Sequence, residues 1–217
     1  MQLVLSFPRK TDFDVANYMP FQAHHTALAL LSGLTAAQQG MGYVYGVDGV
    51  GKSHFLHVAA QQLGVPYFTP NTLPDDPSTV QSAVIDDVHL LDAKRQQVVF
   101  HLFNRVKEEG GILLVAANGP ASGLMVLPDL SSRLCTLEQT EIPLPKQEDM
   151  DVLLAKLAYD RQINLDPAVS KYLLARAERA PAVIEAVLDK LDTLSLVKKQ
   201  PVTIPLVRQV LEGANQP

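Results

Sequence analysis

The chain has 217 residues, enough for one large domain or two small ones, and 47% apolar against 19% charged residues suit a water-soluble globular protein. A formal net charge of −5 excludes a global positive field for nucleic acid, and no apolar run nears the roughly 20 residues of a membrane span. The lone Cys135 excludes an internal disulfide, and the first ten residues lack the basic and apolar regions of a signal peptide, so a cytoplasmic location is expected.

Residues 1–20 carry little periodicity and read as an extended arm. Residues 22–34 read as a helix with Ala27, Leu28, Leu30 and Leu31 apolar. Residues 42–45 form a strand entering a glycine loop, and 52–63 a helix with Phe55, Leu56, Ala59 and Leu63 on one face. Residues 65–68 give a second strand, and 71–79, rich in Pro, Asp and Asn, a loop. Residues 82–85 give a third strand ending at Asp86 and Asp87. A helix over 93–109 is stopped by Gly110 and Gly111, with strands over 112–117 and 135–142 to follow. Strands alternating with helices imply an α/β domain with a parallel sheet of five strands, both faces covered. Past 143–148 only helical periodicity remains, and Asp166 before Pro167 is a helix start with proline in the first helical position. The expected division is an arm over 1–20, an α/β domain over 21–147 and a small all-helical domain over 148–217.

Gly46, Val47, Asp48, Gly49, Val50, Gly51, Lys52 and Ser53 match the phosphate-loop pattern G-x-x-x-x-G-K-[ST] at every fixed position, between a strand and a helix. Glycines let the backbone curl with its N–H groups inward, and the helix N-terminus adds to the anion site. Lys52 can reach the β- and γ-phosphates and the Ser53 hydroxyl can bind Mg2+, so ATP or ADP is the expected ligand, with His54 beside it. Asp86, ending an apolar strand, would hold Mg2+, and Asp87 would polarise an attacking water; the alternative is that the pair caps the next helix. Asn118, just past the fourth strand, could orient that water or touch the γ-phosphate, or be a turn residue before Gly119. Arg133 could neutralise charge on a phosphoryl group in a neighbouring protein, or pair with Asp129 or Glu138. The histidines show no metal-ligand spacing; His24 and His25 read as surface or packing residues.

Together, residues 46–53, Ile85-Asp86-Asp87, 99–105 (VFHLFNR), 127–134 (LPDLSSRL) and 188–192 (LDKLD) resemble the DnaA family of AAA+ proteins, over nearly the whole chain. The resemblance implies an AAA+ phosphate-loop domain with a helical lid. It places Asn118 at the sensor-1 position, Arg133 at the arginine-finger position, and Tyr18, Met19 and Pro20 where related folds seat adenine. The initiator carries a DNA-binding domain after its lid; this sequence stops at Pro217, which favours a DnaA-homologous regulator of replication initiation. Gln2, Leu3, Leu5 and Phe7 look like a peptide for the DNA polymerase sliding clamp, the glutamine anchoring and the apolar side chains filling a pocket; a strand packed on the core would use the same residues. The sensor-2 arginine of the family falls on Ala182 here, with Arg176 and Arg179 nearby, and the short loop before the third strand leaves one core helix to be trimmed. The expected function is a nucleotide-binding adaptor linking the clamp to the AAA+ domain of ATP-bound DnaA and promoting DnaA's hydrolysis, with at most weak ATPase activity of its own. Self-association is open, and strong direct DNA binding is not expected. The rival expectation is an autonomous ATPase that loads or remodels DNA-bound replication proteins.

Overall fold

A computed structural model describes Tyr18, Met19, Phe21 and residues 24–214. Gln2, Leu3, Leu5 and Phe7 of the arm lie outside the described residues. The chain divides into two compact units, one running to Pro143 and one starting at Leu144.

The first unit is built on β1 (Gly40–Tyr45), β2 (Tyr67–Phe68), β3 (Ala83–Ile85), β4 (Ile112–Ala117) and β5 (Glu138–Glu141), all parallel and ordered β2-β3-β4-β1-β5. Its helices are α1 (His25–Ala37), α2 (Lys52–Leu63), α3 (Ala93–Glu109) and α4 (Pro128–Leu134). Central β4 is buried at all six positions, as a parallel strand covered on both sides must be. Side chains alternate across the sheet. Leu113, Val115 and Ala117 pack with Val99, Leu102 and Phe103 of α3 and Leu130 and Leu134 of α4. Ile112, Leu114 and Ala116 pack with Leu30 and Leu31 of α1 and Phe55, Leu56 and Ala59 of α2.

Helices α2 and α3 and strand β4 occupy the residues that periodicity predicts. Of the helix expected over 22–34, residues 22 and 23 lie outside the described residues and α1 runs on to Ala37; the second strand keeps only Tyr67 and Phe68. The fifth strand is shorter than 135–142, because α4 consumes the preceding residues and Thr136 and Leu137 turn back onto Arg133 and Leu134. Between β2 and β3 only the 3-10 turn Pro77–Thr79 forms, so that crossover holds no α-helix.

The second unit contains α5 (Gln147–Asp160), α6 (Pro167–Leu174), α7 (Pro181–Lys198) and α8 (Ile204–Ala214). The Asp166 side chain accepts the Ala168 N–H at 2.8 Å and Pro167 opens α6, the start the sequence predicts. Met150, Leu154, Leu173, Ile184, Leu188 and Val207 form the buried centre. Among the described residues, no helix is long and apolar enough to cross a membrane.

Candidate functional site

The phosphate loop leaves the carboxyl end of β1 and runs into α2. A hydrogen bond from the Ile142 N–H to the Tyr45 carbonyl, at 2.7 Å, fixes its base against the chain leaving β5. Gly46 is obligatory there: a Cβ would lie 2.4 Å from the Ile142 carbonyl oxygen. Gly51 has φ 108° as the N-cap of α2, a left-handed conformation open to glycine without strain. This aims the first N–H groups of α2, which have no partner within the helix, at the mouth of the loop. Val50 is buried beneath the loop, while Val47 and Asp48 are exposed.

Lys52 is 5% exposed and its ammonium donates to the carbonyls of Gly46 (2.8 Å) and Val47 (3.1 Å), with Asp48 Oδ1 at 3.6 Å. The cation therefore lies inside the curl, where a polyphosphate would find it. Asp86 is 1% exposed just past β3; its Oδ1 accepts the Asp87 N–H and its Oδ2 the Tyr67 hydroxyl proton, each at 2.8 Å. Ser53 is hydrogen-bonded to the same Tyr67 hydroxyl. Ser53, Asp86 and Tyr67 thus form one polar cluster. Burial first, then the charge of Asp86, pushes the Tyr67 phenol well above the usual tyrosine range, so it stays a proton donor.

Asp87 sits at φ 48°, a left-handed position for a non-glycine residue. Its side chain caps no helix; only its carbonyl takes part, accepting the Leu90 N–H at 2.8 Å. Burial, then the charge of Asp86, raises the Asp87 carboxyl above the ordinary range, opposed by His89 and Lys52. Lys52, Asp48, Asp86, Asp87 and His89 therefore share one electrostatic neighbourhood. Asn118 is exposed past β4, and the Tyr43 hydroxyl beneath it donates to the Gly119 carbonyl at 2.6 Å. Register pairs Tyr45 with Ala117, so Asn118 leaves the sheet level with Gly46.

His54 meets the edge of the Tyr18 ring at 5.2 Å between centroids, and Tyr18 bonds the buried His24 at 2.9 Å from its hydroxyl to Nδ1. His57 stacks on Tyr67 at 3.8 Å. Tyr67 is the residue that sequence reasoning passes over: it stands at a strand end with no motif around it, and its partners are 14 and 19 positions away along the chain.

Arg133 stands elsewhere. α4 delivers it near the start of β5, where Glu138 is level with Gly42, about 13 Å back along β1 from the loop at the rise of a strand. Among the described residues it has no ion pair, with Asp129 and Glu138 included; its guanidinium lies 5.8 Å above the Phe100 ring of α3. In the helical unit, Ala182 is the second residue of α7, Arg176 lies 3.9 Å above the Tyr172 ring, and Arg179 is exposed.

Among the described residues, no group of three or more His, Cys, Asp or Glu forms a metal cage. One hydroxyl and one carboxylate, from Ser53 and Asp86, suit Mg2+, which keeps waters and takes substrate phosphates as further ligands. A curl that only glycine fits and a buried ammonium suit a polyphosphate.

Comparison with known proteins agrees with this construction. Residues 147–211 match the family described as Hda, lid domain. Domain III of the replication initiation protein DnaA from Thermotoga maritima superposes with a TM-score of 0.81 at 16% identity, covering 97% of this chain and 100% of that one. AMPPCP-bound DnaA from Aquifex aeolicus gives 0.72 at 18% identity over 94% of this chain and 70% of that one. The Thermotoga maritima RuvB Holliday junction branch migration motor gives 0.71 at 15%, over 93% and 72%. The chain thus carries a five-stranded phosphate-loop domain of the DnaA domain III fold and, over residues 147–211, a lid domain of the Hda family.

Proposed function

We propose that this protein is a nucleotide-binding adaptor that links the sliding clamp to ATP-bound DnaA and promotes hydrolysis of DnaA's ATP, limiting replication initiation in the cytoplasm. ATP or ADP would lie along Gly46, Asp48, Gly49, Val50, Gly51, Lys52 and Ser53, with His54 and Tyr18 near the base, and Ser53 and Asp86 would hold Mg2+. The buried ammonium of Lys52 inside a glycine-only curl supports this binding. The bound ion would supply positive charge to the phosphates.

The observation that carries the adaptor role is the position of Arg133. It is held by an aromatic face rather than an acid, on the flank of its unit, while its own loop is surrounded by a separate set of charges. Such an arginine suits a neighbour's phosphates, where stabilisation in trans is worth on the order of 10³-fold or more in rate. The Hda lid match together with the DnaA domain III fold supports a place among DnaA-related proteins of replication initiation. Gln2, Leu3, Leu5 and Phe7 would dock on the clamp.

Arg133→Ala is expected to lower stimulated DnaA hydrolysis on the order of 10³-fold, leaving clamp binding and ADP affinity unchanged. Deleting residues 2–7 is expected to abolish clamp binding and leave ADP affinity intact. Stimulation that survives Arg133→Ala overturns the adaptor reading. The raised carboxyl and left-handed backbone of Asp87, beside Lys52, favour a second reading, an autonomous ATPase with Asn118 orienting the water. That reading requires turnover by the isolated protein which Asp87→Asn removes.

A further inference from the structure

Both residues that suit Mg2+ are already bonded to one hydroxyl. The Tyr67 phenol donates to Asp86 Oδ2 at 2.8 Å and is hydrogen-bonded to Ser53. The second Asp86 oxygen accepts the Asp87 N–H at 2.8 Å. Tyr67 is not free to drift from this position. It opens the edge strand β2, where the Asp86 N–H donates to the next carbonyl, that of Phe68, at 2.9 Å. The His57 ring lies against its face, 29° from parallel, on the same helix as Ser53 and one turn further along.

Mg2+ demands near-octahedral oxygens at about 2.0–2.1 Å and gives up water reluctantly. An oxygen that accepts a phenolic proton has that lone pair committed and brings a third heavy atom between the two would-be ligands. Hydroxyl and cation therefore compete for the lone pairs and the space between Ser53 and Asp86.

We propose that Tyr67 sets the coupling between metal and nucleotide: its hydroxyl competes with a divalent cation for Ser53 and Asp86, so that the loop binds nucleoside diphosphate with little help from Mg2+. This rests on the nucleotide-binding reading above. Tyr67 is a positioning residue here, acting through Ser53 and Asp86. The loop itself supplies the diphosphate contacts through Lys52 and the α2 N-terminus, so ADP needs no metal to be held.

Calorimetric titration with ADP tests it, in EDTA and in excess MgCl2, for the parent and for Tyr67→Phe, which removes one oxygen and keeps the ring against His57. The readout is the ratio of the two dissociation constants, EDTA over Mg2+. The parent ratio is expected below about fivefold, the lower edge of ordinary coupling between two ligands, and Tyr67→Phe is expected to raise it by about fivefold or more. A smaller rise overturns the proposal. A parent ratio above that bound overturns it without any variant, should Tyr67→Phe fail to fold. A merely structural tyrosine would lower the melting temperature and leave the ratio where it was. If the parent binds no ADP at millimolar concentration in either buffer, the nucleotide reading falls and this proposal with it; ADP bound with an unmoved ratio refutes the proposal alone.

Discussion

At Gly46 a single hydrogen atom in place of a methyl group decides whether the loop can form. Gly46→Ala would set a Cβ 2.4 Å from the Ile142 carbonyl, which is itself tied into the strand pairing through the Ile142 N–H. Neither backbone can yield without opening β1 from β5. The variant is expected to lose about 1–3 kcal/mol of stability, the usual cost of overpacking, read as a lower urea midpoint. Its ADP affinity should fall as well. Gly46, Lys52 and Ser53 are legible in the sequence because phosphate chemistry requires fixed residue types at consecutive positions. Tyr67 and Tyr43 are not, because each acts through a bond to a residue distant in the chain, and one tyrosine on an apolar strand resembles any other. The left-handed φ of Asp87 is equally invisible in Ile85-Asp86-Asp87.

Among the elements, α4 matters beyond its seven residues. It carries Arg133, buries only Leu130 and Leu134, and is too short to show periodicity; Pro128 in its first turn is the signal that marks it. Its entry is held by a buried glutamine of α3. Gln96 donates to the Leu91 carbonyl at 2.7 Å and accepts the Leu127 N–H, the N-cap of α4, also at 2.7 Å. Gln96→Ala would leave two backbone groups unpaired, at about 1–3 kcal/mol for each that stays buried. Stimulated DnaA hydrolysis is therefore expected to fall with α4 loosened, while ADP affinity changes by less than about twofold, because the loop shares no partner with Gln96. Rates and titrations on one preparation separate the two. The longer helices α2 and α3 needed no such support to be read, because their apolar faces recur through several turns.

On the scale of the whole molecule, pH acts on stability through carboxyls that folding buries. In the helical unit, Glu185 is largely buried on α7, and burial raises its carboxyl above the ordinary value of 4.5, with Asp189 adding and Arg161 opposing. A folded state that holds the proton more tightly than the unfolded chain is favoured at low pH, and loses that advantage as pH rises through the raised value. Glu185→Gln is thus expected to melt with the parent near about pH 4 and above it near about pH 7.5. Calorimetric scans at both values check the sign. The α/β-then-helical division was legible because alternating and continuous periodicities differ over tens of residues, whereas the exact strand ends depend on pairing that sequence does not display. That pairing also orders events in time. Gly40 must wait for Ile112, and Gly42 for Glu138, before β1 has a neighbour on either side. On a ribosome the nascent phosphate loop would therefore be translated early and completed late, its glycine-rich stretch exposed to chaperones and proteases until β5 emerges.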